Sequence, residues 1–230
     1  MAKTYKVLSA LLSYPTQELK GAACELRAVL KGEGLLPPAL RDRVEALIGE
    51  IAAADLYDLQ ERYVDLFDRG RSLSLHLFEH VHGESRDRGQ AMIDLKALYE
   101  RNGLFIDSKE LPDFLPLFLE FLFTQPLPKA RELLGQTQHI LAALAERLQR
   151  RNAPYAVLFD ALKELAGEAE APEVELIPEA PGSEASDLLA LDNEWEEEPV
   201  TFGPEAAPGC KDQLIAKIRA ARRPAPGLAG

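Results

Sequence analysis

Across the first 166 positions, apolar residues return at intervals of three and four and almost nowhere at intervals of two. That is the period of a helix surface, and it leaves little room for half-buried strands. After Thr16, whose hydroxyl can cap free N–H groups, Leu19, Ala22, Ala23, Leu26, Val29 and Leu30 form one stripe. Pro37 and Pro38 predict the start of a second helix, since a first-turn proline lacks only a donor the helix leaves unused. Val44, Leu47, Ile48 and Ile51 would line it. Asp55 predicts a third cap, with Leu56, Leu59, Tyr63 and Leu66 or Phe67 inward and an end near Arg69-Gly70. Met92, Leu95, Leu98 and Tyr99 make a further stripe that stops at Asn102-Gly103. "FLPLFLEFLF" (114–123) is apolar nearly all round, so it is expected to be the central buried helix, with Asp113 as its cap.

Residues 126–151 predict the longest helix, carrying Leu133, Leu134, Thr137, Ile140, Leu141, Leu144 and Leu148 on one side. Arg147, Arg150 and Arg151 crowd its last turns, where cations suit the helix dipole. Pro154 opens a final helix with Leu158, Leu162 and Leu165 inward and Gly167 as its stop. "SLSLHL" alone alternates; its setting favours helix or irregular structure. The class is all-α: a single helical bundle over residues 1–167.

From Glu168 the period disappears. Residues 168–200 carry 12 acids and no Lys or Arg, leaving 26 acids against 26 bases elsewhere. The net charge of −12 therefore belongs to one segment, and such a segment is expected to repel itself and stay disordered. Within 168–230 only residues 211–223, with Leu214, Ile215 and Ile218 between basic flanks, suggest a short amphipathic helix. A neutral body has no basic footprint for nucleic acid. Cys24 and Cys210 match no zinc or disulfide pattern, which fits a reducing, cytoplasmic setting. "VLSALL" near the start lacks a cleavage-site pattern and reads as a first helix. No apolar run approaches the roughly 20 residues that span a bilayer, so stable membrane insertion is not expected.

Three of the four histidines, His76, His80 and His82, fall within seven positions, beside Glu79 and Glu84. On ligand type they could hold zinc, and a metal-dependent enzyme built on them is the alternative reading. The spacing is not HExxH, however, and polar side chains bracing a loop explain it as well. No GxSxG, phosphate loop or Cys–His pairing is legible, so no catalytic residue and no cofactor is assigned. Glu120, inside its apolar helix, is expected to need a partner such as Arg69, Arg86 or Arg88, or to line a groove.

Two stretches carry a family resemblance. "RYVDLFDRGRSLSLHLFEHVHGESRDRGQAMIDLKALYERNG" (62–103) and "LPDFLPLFLEFL" (111–122) resemble the NarJ-type chaperones of respiratory nitrate reductase, within the TorD/DmsD-like group. "LLSYP" and "WEEEPVTFG" support it, and the likeness is weakest across 168–190. The resemblance implies a TorD-like helical fold, a cytoplasmic protein and no catalysis. It implies binding of the N-terminal peptide of the catalytic alpha subunit. The apoenzyme would be held for molybdenum cofactor insertion before membrane attachment, with molybdenum cofactor delivery proteins as candidate further partners. Helix-in-groove capture suits such a fold. Leu73, Leu77, Phe78, Leu115 and Leu119 would wall the groove, and Asp65, Asp68, Glu79 and Asp113 would meet basic side chains of the peptide. His76, His80 and His82 would line or brace it, and Tyr63, Phe67, Arg69, Arg88 and Glu120 complete the expected site.

Overall fold

In the computed structural model the described residues are 1–81, 86–107 and 110–167, with Arg86 described in its backbone only. They belong to the first of two units, Met1–Asp187 and Leu188–Gly230. The expected acidic tail, its amphipathic segment 211–223 and Cys210 lie outside the described residues, as do His82 and Glu84. Ten α-helices are described: α1 (Lys3–Leu12), α2 (Gln17–Gly21), α3 (Ala23–Glu33), α4 (Pro38–Ala53), α5 (Leu56–Phe67), α6 (Arg86–Arg101), α7 (Leu115–Thr124), α8 (Leu127–Gly135), α9 (Gln138–Arg150) and α10 (Ala156–Ala166). Two 3₁₀ turns, Arg71–Leu73 and Leu77–His80, join α5 to α6. No β-strand occurs among the described residues, so the all-α expectation holds.

The local signals act as anticipated at several ends. The Thr16 hydroxyl accepts from Leu19 N, and the Asp55 carboxylate accepts from Tyr57 N. Pro38 occupies the first turn of α4, whose Val44, Leu47, Ile48 and Ile51 are all buried. Gly103 and Gly167, with φ of 79° and 73°, take the positive-φ backbone that a Cβ disfavours, just beyond α6 and α10.

Two expected helices are broken. The stripe after Thr16 divides at Ala22 into α2 and α3. Residues 126–151 divide at Gln136-Thr137, where both the N–H and the hydroxyl of Thr137 donate to Leu134 O. A threonine able to back-bond, directly after the poor helix former Gly135, ends α8.

The core lies between α1, α7, α9 and α10. Leu115, Pro116, Phe118, Leu119, Phe121 and Leu122 of α7 are buried, each large apolar side chain contributing roughly 1.5–3 kcal/mol. α7 packs along α1, and Ser9 Oγ donates to Pro116 O at 2.8 Å. Glu120 corrects the expectation of a buried acid. Leu117, Glu120 and Thr124 recur at helical spacing on the one side of α7 that is not buried, and Glu120 is exposed there. Its proposed partners Arg69 and Arg88 instead pair with Asp65 and Glu79.

Candidate functional site

"SLSLHL" is irregular, as its setting favoured: it starts in one 3₁₀ turn and ends in the next. Leu73, Leu75 and Leu77 are all buried, but so is Ser74, and only residues 74–76 lie outside the two 3₁₀ turns. The segment pairs at one position, an antiparallel bridge between His76 and Phe114, with Leu115 N donating to Leu75 O and Leu77 N to Asp113 O. His76 is therefore extended, and His80 lies in a 3₁₀ turn.

Asp113 organises this pairing. Its carboxylate has 0% exposure, and its Oδ2 accepts from Phe78 N at 3.1 Å. Its Oδ1 lies 3.2 Å from His76 Nδ1, which therefore carries the proton. Asp113 does not cap α7; Phe114 holds that place without a side-chain cap. A buried carboxylate is tolerable when donors surround it, and here they come from 35 to 37 residues away. The hydrogen bond that His76 donates to Asp113 raises its pKa above the ordinary value, against the opposing effect of burial.

His80 behaves oppositely. Its Nε2 donates to Ser74 O at 2.8 Å, and burial pushes its pKa down, helped by the Arg147 charge. Ser74 Oγ accepts from His76 N. On the other flank, α9 reaches the segment: Arg147 Nη1 donates to Ser72 O at 2.7 Å, and Arg151 Nη2 to Ser72 Oγ at 3.1 Å.

The remaining expected site residues separate by depth. Leu73, Leu77, Leu115 and Leu119 are core residues, so in this conformation they wall no open groove; only Phe78 among the five is partly exposed. Tyr63 and Phe67 are buried as well. Tyr63 donates its hydroxyl to Leu12 O, and Phe67 packs edge-on to Tyr155. Asp65, Asp68 and Arg69 are exposed at the end of α5, with Asp65 and Arg69 paired at 2.9 Å. Glu79 and Arg88 pair at 3.0 Å and are half-buried. Of the four acids expected to meet a basic peptide side chain, Asp113 reaches no solvent in this conformation, whereas Asp65 and Asp68 are exposed.

No group of three His, Cys, Asp or Glu side chains among the described residues is arranged to hold a metal ion. Both described histidines of the cluster have hydrogen-bond partners within the fold. Ser72, Ser74, Arg147 and Arg151 were missed by sequence reasoning. Their contacts cross up to 79 positions and leave no local pattern. No helix among the described residues is long and apolar enough to cross a membrane.

Residues 33–161 match the protein family described as nitrate reductase delta subunit. The chain is 45% identical over 211 residues to the nitrate reductase molybdenum cofactor assembly chaperone NarJ of Escherichia coli (strain K12), covering 91% of this chain and 88% of that one. It is 43% identical over 206 residues to a probable nitrate reductase molybdenum cofactor assembly chaperone, NarW, of the same organism, covering 89% and 86%. A probable chaperone of the same description from Bacillus subtilis (strain 168) is 32% identical over 159 residues, covering 69% of this chain and 85% of that one.

Proposed function

The chain belongs to the nitrate reductase delta subunit family, and from that premise we propose that it is a non-catalytic assembly chaperone for a nitrate reductase. It binds the N-terminus of the catalytic alpha subunit and holds the apoenzyme for molybdenum cofactor insertion, before membrane attachment. The observation that carries this reading is the likeness to relatives named as such chaperones, sustained over nine-tenths of the chain. The cofactor is the client's cargo, and the reading assigns no residue of this chain to it. It acts in the cytoplasm, where such an apoenzyme is assembled.

The geometry supports a recognition role for the Arg71–His80 segment and its neighbours. Buried hydrogen bonds fix the backbone, while Phe78 and Glu79 stay partly exposed and Asp65, Asp68 and Arg69 stand on the adjoining helix end. A rigid edge of this kind loses little entropy on binding. Exposed acids give it a charge preference for a peptide with basic side chains. On this reading residues 1–167 capture the peptide, and residues 168–230 form a separate tail.

Calorimetry with a synthetic peptide of the alpha-subunit N-terminus tests the proposal. The expected result is saturable binding that weakens about tenfold in Asp68→Lys, since reversing a peripheral charge turns attraction into repulsion. Absence of binding to the unaltered chain would overturn the peptide reading.

A further inference from the structure

We infer that Arg147 of α9, assisted by Arg151, is a positioning residue for client recognition, holding the Arg71–His80 segment in the conformation that a client peptide meets. The inference rests on the chaperone reading above.

Four observations carry it. Arg147 is only 8% exposed, and a guanidinium withdrawn from water must use its donors well. One of those donors goes to a main-chain carbonyl, Ser72 O, which fixes backbone position directly. Arg151, four residues on at the C-cap of α9, takes the Ser72 hydroxyl, so two arginines grip a single residue. α9 itself is firmly held, because Ile140, Leu141, Leu144 and Leu148 are buried and the helix packs against α10.

The segment is thus held from both sides. α9 grips it at Ser72, and Asp113 grips it at His76 and Phe78. Between the grips, His80 holds Ser74 O through a protonated Nε2, and the nearby Arg147 charge disfavours a second proton on that ring. Removing Arg147 therefore releases the Ser72 carbonyl and leaves only the Arg151 contact to the Ser72 hydroxyl on that flank. Phe78 and Glu79, partly exposed at and just beyond the Asp113 grip, would then be held from one side only.

Hydrogen exchange and calorimetry on the full chain test this, using Arg147→Met, Arg147→Lys and, as a control, Arg150→Met on the exposed side of α9. In Arg147→Met the Leu77 and Phe78 amides should lose protection by more than about tenfold beyond the change in α7 and α10 amides. Affinity for the alpha-subunit peptide should fall about tenfold, with Arg147→Lys recovering part of both because it retains one charged donor. Segment amides that merely track the core, or unchanged affinity despite a loosened segment, would overturn the inference. If Arg147→Met does not fold, Ser72→Ala removes the Arg151 contact alone and should show the same pattern more weakly; an unchanged pattern there also counts against it. If the unaltered chain binds no peptide, the chaperone reading fails, and the exchange data still decide whether Arg147 positions the segment.

Discussion

His76 Nδ1 sits 3.2 Å from Oδ1 of Asp113, a carboxylate wholly out of solvent, and the other oxygen of that carboxylate holds the amide of Phe78. His76 is thereby tied to the start of the central helix. Asp113 is the acceptor that the His76 ring and the Phe78 amide share, whereas His80 is held separately, by Ser74 O.

Replacing that acceptor should be costly. In Asp113→Ala, the Phe78 N–H and the His76 ring lose their partner inside the fold, and the methyl group cannot refill the space. The expected loss is about 3 kcal/mol, read from urea unfolding midpoints. Asp113→Asn should lose less, because its amide oxygen can still accept from Phe78. Equal losses in the two variants would mean that shape, rather than hydrogen bonding, sets the effect.

The two histidines should pull the pH dependence of stability in opposite directions. The folded-state pKa of His76 is raised, chiefly by its hydrogen bond to Asp113, with Glu79 and Glu110 adding to it. Its contribution is therefore fully present below 6.5 and lost as pH rises through the raised value. The folded-state pKa of His80 is lowered, chiefly by burial, with Arg147 adding to it and Ser74 O, Glu79 and Asp113 opposing. The unfolded chain takes up a proton that folded His80 resists, so this group costs stability as pH falls below 6.5. Burial lowers His139 in the same sense. Between about pH 8 and pH 5, the stability deficit of His76→Gln relative to the unaltered chain should grow on acidification, while that of His80→Gln should shrink. Parallel trends in the two variants would contradict this assignment.

What was legible in the sequence follows from the range of each interaction. The caps at Thr16 and Asp55 and the proline start at Pro38 are settled within one turn, and they were readable. The break at Thr137 is local too, but the apolar period runs through it and masked the signal from Gly135. Asp113 was misread for a different reason. An acid directly before an apolar run suits a cap, but α7 starts one residue later than that run, and nothing nearby tells that the carboxylate is taken up 35 residues away. Glu120 shows the limit of composition. Six of the ten residues of α7 are buried, yet a ten-residue helix can keep one narrow exposed strip, and the acid occupies it. The family likeness carried by residues 62–103 and 111–122 was legible, whereas the depth of their leucines was not.

A second remote acid should matter as much to the fold. Glu33, the last residue of α3, caps α1: its carboxylate accepts from Lys3 N at 2.6 Å, and from Thr4 N and Thr4 Oγ1 at 2.7 Å. Ala2, at the cap position, offers no side-chain acceptor of its own. Glu33→Ala should therefore cost about 2 kcal/mol, combining a lost cap with a lost charge at the positive end of the helix. Glu33→Gln keeps the acceptor and should cost about half as much. Denaturant titration checks both, and a neutral Glu33→Ala would show that water replaces the cap without loss.

Gly49 and Arg27 should prove coupled. Arg27 Nε and Nη2 donate to Glu45 O at 3.3 Å and 2.9 Å, so the guanidinium lies across the middle of α4. A Cβ built at Gly49 would stand 2.4 Å from Arg27 Nη2, too close for both to stay. In the unaltered background, Gly49→Ala gains about 1 kcal/mol of helix propensity but displaces the guanidinium, losing a hydrogen bond worth about the same. Its net effect should be near zero. Once Arg27→Ala has removed the obstacle, the same substitution should stabilise by about 1 kcal/mol. A double-mutant cycle on urea unfolding free energies then yields a coupling of about 1 kcal/mol. Additive effects would mean that the arginine end swings aside without loss, and that the glycine owes its place to something other than Arg27.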